Sequence, residues 1–237
     1  MTLVRVDRLD LVLAQRPWPF AVKKRGEIDA FFNEQRRINP ALWNGQVLLL
    51  HDYALRDAVF EGAYFQTDFA SMLAWRQWDF PDRGVHSCFA MGALQASDGA
   101  FLLGVMGPHT ANAGKIYFPA GTPEPSDVIG VRVDLAGGLM REVEEETGLS
   151  PSELEAQPGW VTVLAGPRIA QIKVLRAPDT AQCLRTRILA HLGSQMQPEL
   201  VDVRVVREEA DFDPMMPPYV TQFLLDLWQQ PQGDRAP

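Results

Sequence analysis

One predicted helix carries three neighbouring carboxylates, and this feature places the strongest limit on how the chain can fold. Apolar residues recur at helical spacing across 134–147, which predicts an amphipathic helix whose apolar stripe packs on a core. Glu142, Glu145 and Glu146 stand at i, i+3 and i+4 on another face of this helix. Their mutual repulsion costs roughly 0.2 to 0.5 kcal/mol per pair, and the helix dipole disfavours each anion in the last turn by roughly 0.3 to 1 kcal/mol.

Divalent cations would turn this repulsion into binding. Ligands that offer only oxygen favour Mg²⁺ or Mn²⁺, and Mg²⁺ fills the rest of its octahedron with water and substrate phosphate. A place where the sequence breaks several local rules together is where a functional site is expected. The alternative interpretation is a solvated acidic helix face, which is what most runs of charge are.

The segment 141–149 resembles the core of the Nudix box, Arg-Glu-apolar-x-Glu-Glu-x-Gly-apolar. Glu144 occupies the free position, and Phe118, Pro119, Ala120 and Gly121 stand upstream. The positions in register are Arg141, Glu142, Val143, Glu145, Glu146, Gly148 and Leu149.

The resemblance implies a Nudix hydrolase that cleaves a pyrophosphate bond. Glu142, Glu145 and Glu146 would hold the metal, assisted by the carbonyl of Ala120 or Gly121, and Arg141 would orient these carboxylates. The general base would be Glu142 or an acid from a later loop. The later acids that remain open are Glu199, Glu208 and Glu209.

The spacing within the box departs from the family pattern. Asp127 stands where the family has a Glu after Gly121, and thirteen residues instead of seven separate it from Arg141. Either the loop carries an insertion of six residues, or Asp134 does the structural job of the missing Glu.

A second string, at 39–45, resembles one that precedes the hydrolase core in the Nudix branch that splits UDP-glucose and related nucleotide sugars. It has the pattern Asn-Pro-x-Leu-x-Asn-Gly, so Asn39, Trp43 and Asn44 are candidates for substrate binding. The alternative is a helix exit with Trp43 packed as a plug. Arg168 is a candidate contact for phosphate oxygens, or else a solvated residue beside a strand.

Alternating strands and amphipathic helices predict an α/β (α+β) protein. The resemblance implies a Nudix-type α/β/α sandwich with a mixed sheet. A turn-rich stretch at 79–84 predicts a boundary between an N-terminal α+β module, 1–84, and a hydrolase core, 85–237.

Composition narrows the partners. A net charge of −8 and a pI near 5.0 argue against sequence-independent nucleic-acid binding, which needs clustered Lys and Arg. No apolar run approaches the ~18 residues of a membrane span, and Cys88 and Cys183 are interpreted as reduced thiols, so we expect a cytoplasmic location. The oligomeric state is open.

The expected activity is Mg²⁺-dependent hydrolysis of a nucleoside diphosphate derivative. The first candidate substrate is a UDP-sugar, which would give a nucleoside monophosphate and a sugar 1-phosphate. ADP-ribose, a dinucleotide or coenzyme A is the alternative substrate. A third alternative is a binding module of Nudix fold that does not cleave its nucleotide.

Overall fold

The computed structural model describes residues 1–229, which form two mixed β-sheets and six α-helices. The strands are β1 (Thr2–Val6), β2 (Arg8–Leu13), β3 (Gln46–Arg56), β4 (Val59–Asp68), β5 (Ser87–Gln95), β6 (Phe101–Met106), β7 (Ile116–Tyr117), β8 (Ala120–Gly121), β9 (Val128–Ile129), β10 (Arg132–Val133), β11 (Glu155–Ala156), β12 (Trp160–Ala165), β13 (Arg168–Arg176) and β14 (Leu200–Val206). The helices are α1 (Pro19–Lys23), α2 (Arg25–Ile38), α3 (Phe69–Gln77), α4 (Leu135–Thr147), α5 (Ala181–Ser194) and α6 (Pro218–Gln229). Short 3-10 helices lie at Pro125–Asp127, Pro151–Glu153 and Glu209–Asp211.

The large sheet has the strand order β1-β12-β13-β5-β6-β14, with β11, β7 and β8 pairing beside β13, β6 and β5. Strands β13 and β5 run parallel, and the other pairs are antiparallel. The small sheet has the order β3-β4-β2-β10-β9, in which β2 and β4 are parallel. Both sheets are therefore mixed, and the predicted mixed α+β class is confirmed.

The large sheet lies between α4 and α6. A Cβ atom added to Gly92 of β5 would come within 2.8 Å of Val143 on α4, so the glycine allows the helix to approach closely. Phe89 of the same strand packs against Tyr219 of α6, with ring centroids 5.9 Å apart. Residues an odd number apart on a strand face opposite sides, so the two helices cover opposite faces.

The small sheet packs on the α4 side of the large sheet and carries the N-terminal helices on its other face. Along β3, Leu48 and Leu50 join the core shared with α4, whereas Val47 and Leu49 join Trp18 and other residues under α1 and α3. This alternation follows from the two-residue period of a strand.

The two segments 1–84 and 85–229 share both sheets. Strand β1 pairs with β12 in the large sheet, and the hairpin β9–β10 pairs with β2 in the small sheet. The boundary between modules at 84 and 85 stays a prediction, and its C-terminal limit at 237 lies outside the described residues. No helix within residues 1–229 is both long and apolar enough to span a bilayer.

Candidate active site

The three carboxylates lie on the last turns of α4, beside β8. The helix predicted at 134–147 is confirmed: Asp134 accepts a hydrogen bond from the Gly137 amide at its start, and Gly148 ends it with φ of 69°. A Cβ atom on Gly121 would stand 2.5 Å from Cγ of Glu142. Only glycine thus leaves room for this carboxylate against β8.

Glu146 is the most deeply buried of the three, at 6% exposure. The Ala120 amide hydrogen-bonds its carboxylate, yet its Oε2 atom has no partner within the described residues. Burial, followed by the negative charges of Glu142 and Glu199, raises the pKa of Glu146 well above its usual value. Burying an unpaired oxygen of this kind costs free energy, and a ligand that binds the oxygen would remove this cost.

Glu142 and Glu145 are graded in exposure. The Glu142 side chain is 20% exposed, and burial raises its pKa to about 7, although Arg141 at 2.9 Å acts in the opposite direction. The Glu145 side chain is 61% exposed and lies 3.6 Å from Arg141. The cluster therefore runs from a buried acid to a solvated one.

Arg141 is anchored by the loop that precedes α4. Its Nη2 donates to Asp127 at 3.1 Å, and Asp127 is 8% exposed. Burial opposes the charge of Arg141, but this hydrogen bond and the nearby acids outweigh it and raise the pKa of the guanidinium. Asp127 thus holds the arginine that contacts Glu142.

The structure separates the roles of Asp127 and Asp134. Asp127 contacts Arg141 and packs on α4, since a Cβ atom on Gly138 would meet its Oδ1 at 2.7 Å, whereas Asp134 caps the helix. The residues between them form the β9–β10 hairpin, which extends the small sheet. The extra length of the loop therefore contributes two strands.

Helix α5 closes the C-terminal end of α4, a contact that the sequence did not indicate. Nε2 of His191 and Nε2 of Gln195 each lie 3.0 Å from the Glu145 carbonyl oxygen. A Cβ atom on Gly148 would meet the His191 ring at 2.6 Å. These contacts satisfy a terminal carbonyl of the helix and fix the turn that carries the acids.

The chemistry of the candidate ligand atoms suits a hard divalent cation, although their side chains are not placed around a common point. Within residues 1–229, no three His, Cys, Asp or Glu groups are placed so that they could hold an ion as they stand. The available ligand atoms are all oxygens, and one of them, Oε2 of Glu146, is buried without a hydrogen-bond partner among the described residues.

The residues of the 39–45 string are tied to their surroundings. The side-chain amide of Asn39 donates a hydrogen bond to the His109 carbonyl. Oδ1 of Asn44 accepts a hydrogen bond of 2.8 Å from the backbone amide of Ala70, in the first turn of α3. Trp43 is 79% exposed, and its ring lies over Gly45. Trp43 is therefore no buried plug, and substrate contacts for all three residues stay predictions.

The candidate acids from later loops differ in position. Glu199 lies close enough to Glu142 and Glu146 for its charge to raise the pKa of both. Glu208 and Glu209 are exposed at the 3-10 helix near 209–211. Of the three, only Glu199 is placed beside the cluster.

Arg168 lies at the start of β13, with its guanidinium carbon 4.8 Å from the centroid of the Phe80 ring. Close to it lies Arg76 of α3, which the sequence analysis did not single out, because nothing in a lone arginine at a helix end marks it. Nη2 of Arg76 donates to Oδ1 of Asn112 at 2.9 Å, and Nδ2 of Asn112 donates to the Tyr117 hydroxyl at 3.1 Å.

No model of a known protein family matches the sequence, and no curated protein matches it. Solved structures do resemble parts of the fold. A Nudix hydrolase from M. smegmatis, RenU, is similar at 16% identity and a TM-score of 0.39, over 60% of this chain and 85% of its own. A MutT protein from Methanosarcina mazei Go1 is similar at 19% identity and a TM-score of 0.40, over 60% of this chain and 91% of its own. The E. coli ORF135 protein is similar at 19% identity and a TM-score of 0.36, over 64% of this chain and 96% of its own.

Proposed function

We propose that this protein is a Nudix-type hydrolase that uses Mg²⁺, or Mn²⁺, to cleave the pyrophosphate bond of a UDP-sugar into UMP and a sugar 1-phosphate. The observation that carries the proposal is the buried Oε2 of Glu146, which has no hydrogen-bond partner among residues 1–229 and lies among further acids at the end of α4. A solvated acidic face would not bury one of its carboxylates to 6% exposure.

Glu142, Glu145 and Glu146 would hold the ion together with the carbonyl of Ala120. In the pairing of β8 with β5, Ala120 lies opposite Met91. The next residue of β5, Gly92, donates its backbone amide hydrogen to the Pro119 carbonyl at 2.9 Å. Since antiparallel pairs alternate between bonded and non-bonded residues, Ala120 makes no bond across to β5, and its carbonyl remains available. The bound ion would neutralise charge on the diphosphate and make an attacking water more acidic.

The residues of the chain would divide the remaining tasks. Arg141, held by Asp127, orients Glu142 and shields it from Glu145, because it contacts both carboxylates. Glu142 or Glu199 would accept the proton of the attacking water. A carboxylate that stays ionised beside the bound cation can accept this proton.

The choice of a UDP-sugar rests on the 39–45 string and on where its loop lies. Asn39 of this string donates a hydrogen bond to the His109 carbonyl. His109 lies in the loop that leads to β7 and β8, and β8 lies beside the acidic cluster of α4. The exposed ring of Trp43 offers an apolar face on which a base can stack.

A substrate panel tests the proposal. The protein is incubated with MgCl₂ and, separately, with UDP-glucose, ADP-ribose, a dinucleotide and coenzyme A, and the products are identified by ³¹P NMR. We expect UMP and glucose 1-phosphate from UDP-glucose, and we expect Glu145→Gln to lose activity while the matched control Glu144→Gln keeps it.

The other outcomes separate the alternatives. Cleavage of ADP-ribose or coenzyme A without cleavage of UDP-glucose would keep the chemistry and reject the substrate. Nucleotide binding without any cleavage, unchanged in Glu145→Gln, would favour a binding module.

A further inference from the structure

Two arginines from distant parts of the chain lie close enough for their positive charges to interact. Arg76 comes from the last turn of α3 and Arg168 from the first residue of β13, and both are half-buried. Within residues 1–229, no carboxylate oxygen lies within salt-bridge distance of either one, whereas Arg25, Arg141 and others have such partners. No ion pair with a described residue thus neutralises either charge.

Neutral groups hold both guanidiniums in place. Arg76 donates to the Asn112 side-chain carbonyl at 2.9 Å, and Asn112 is fixed in turn by its bond to the Tyr117 hydroxyl. Arg168 lies over the buried Phe80 ring at 4.8 Å. An amide and an aromatic face orient a cation but leave its charge available to a ligand.

The arrangement is unfavourable without a ligand. Burial, followed by the positive charge of Arg168, lowers the pKa of Arg76. The nearby phenols, Tyr117 and Tyr219, do not offset this charge at physiological pH, because both are neutral there. An anion would relieve both the burial and the repulsion.

The arginine pair adjoins the acidic cluster through one side chain. On one side, the Tyr117 hydroxyl accepts a hydrogen bond from Asn112, which in turn accepts one from Arg76. On the other side lies Glu146, whose charge adds to burial in raising the pKa of the Tyr117 phenol. The β7–β8 segment that carries Tyr117 also supplies Ala120, whose amide bonds Glu146. The two sets of charges therefore flank the same short segment.

We propose that Arg76 and Arg168 form an anion site for phosphate oxygens of the substrate that the metal does not hold. The identity of the anion as a diphosphate rests on the proposed function, but the anion site itself does not. The site gives the N-terminal segment a role in the reaction: through α3, it supplies one of the two cations. Arg76 and Arg168 are binding residues in this scheme and take no part in proton transfer.

The first test measures anion binding without metal or catalysis. Full-length protein in EDTA at low ionic strength is titrated with inorganic pyrophosphate by calorimetry, for wild type, Arg76→Gln and Arg168→Gln. The control is Arg56→Gln, which removes an exposed arginine near Glu61 on the small sheet. We expect each site variant to weaken binding about tenfold or more, as for the loss of a charge-assisted hydrogen bond, and the control to change it less than twofold.

Failure of this proposal and failure of the proposed function can be told apart. Wild-type protein that binds no pyrophosphate would overturn the anion site, as would an equal loss in Arg56→Gln or no loss in Arg76→Gln and Arg168→Gln. Thermal melts check that each variant is folded, and Arg76→Lys, which keeps a cation, should lose less affinity than Arg76→Gln. If the panel yields a substrate, Arg76→Gln should raise KM about tenfold with a smaller change in kcat.

Discussion

Replacing Glu142 by Gln should stabilise the metal-free protein at alkaline pH. The folded state raises the pKa of this carboxyl from the ordinary 4.5 to about 7, mainly through burial. A raised carboxyl pKa means that the folded state prefers the protonated form. Below pH 4.5 this carboxyl is mostly protonated in both states, so the folded protein keeps its full stability. As the pH rises through 7 that stability is lost, because ionisation of the carboxyl costs more in the folded state than in the unfolded state.

The size of the effect follows from the two pKa values. The interval between 4.5 and about 7 corresponds to roughly 3 kcal/mol, because each pH unit is worth about 1.4 kcal/mol. At pH 8 the full cost applies, whereas at pH 5 less than about 1 kcal/mol remains. For a chain of 237 residues, a change of this size moves Tm by roughly 6 to 12 °C.

The assay is urea unfolding of wild type, Glu142→Gln and Glu144→Gln in EDTA at pH 5 and pH 8. Glu144 is an exposed acid on the same helix, so its variant controls for the loss of one charge. Added MgCl₂ at pH 8 should stabilise wild type and control more than Glu142→Gln, since a ligand that binds only the folded state stabilises it. Equal stability of wild type and Glu142→Gln at pH 8, or a difference that does not change with pH, would refute the reasoning.

Three further predictions follow from single contacts. Gly121→Ala should abolish Mg²⁺-dependent stabilisation in thermal melts while the protein in EDTA stays folded, because the new methyl group displaces the Glu142 side chain. Asn44→Ala should lower the free energy of unfolding in urea by about 1 kcal/mol, because the first turn of α3 loses its acceptor, and a normal stability would contradict this role. Asp127→Ala should cost about 1 to 3 kcal/mol in the same assay and weaken Mg²⁺ binding in calorimetry, because Arg141 loses its buried partner, whereas unchanged Mg²⁺ affinity would argue against an orienting role for Arg141.

The helix that carries the acids was predictable because its signals are local. The apolar period, the N-cap at Asp134 and the left-handed Gly148 all lie within one stretch of sequence, and each confirms the same helix. The mixed α+β class was predictable for the same reason, because alternating strands and amphipathic helices show in short stretches of sequence.

Features that depend on tertiary contacts were not predictable. The strands β9 and β10 have two residues each, too few for an alternating pattern, and they form because β10 pairs with β2 on one side and with β9 on the other. Arg76 is a candidate binding residue only because the fold brings it to Asn112, 36 residues away, and to Arg168 at the start of β13. Asn44 belongs to a string that suggests a pocket, yet its side chain reaches the start of α3.

Arg76 and Glu146 flank the β7–β8 segment, and within residues 1–229 neither of them forms an ion pair. Arg76 donates a hydrogen bond to Asn112, while one oxygen of Glu146 has no partner in the part of the chain that the structure describes. Selection for stability alone would join such groups or replace them with apolar side chains, because an uncompensated buried charge is among the most destabilising features of a fold. Neutral Asn112 accepts the hydrogen bond of Arg76 and donates one to the Tyr117 hydroxyl. A ligand that satisfies both sets must present a cation to the carboxylates and an anion to the guanidiniums, and a metal–diphosphate complex has this charge pattern.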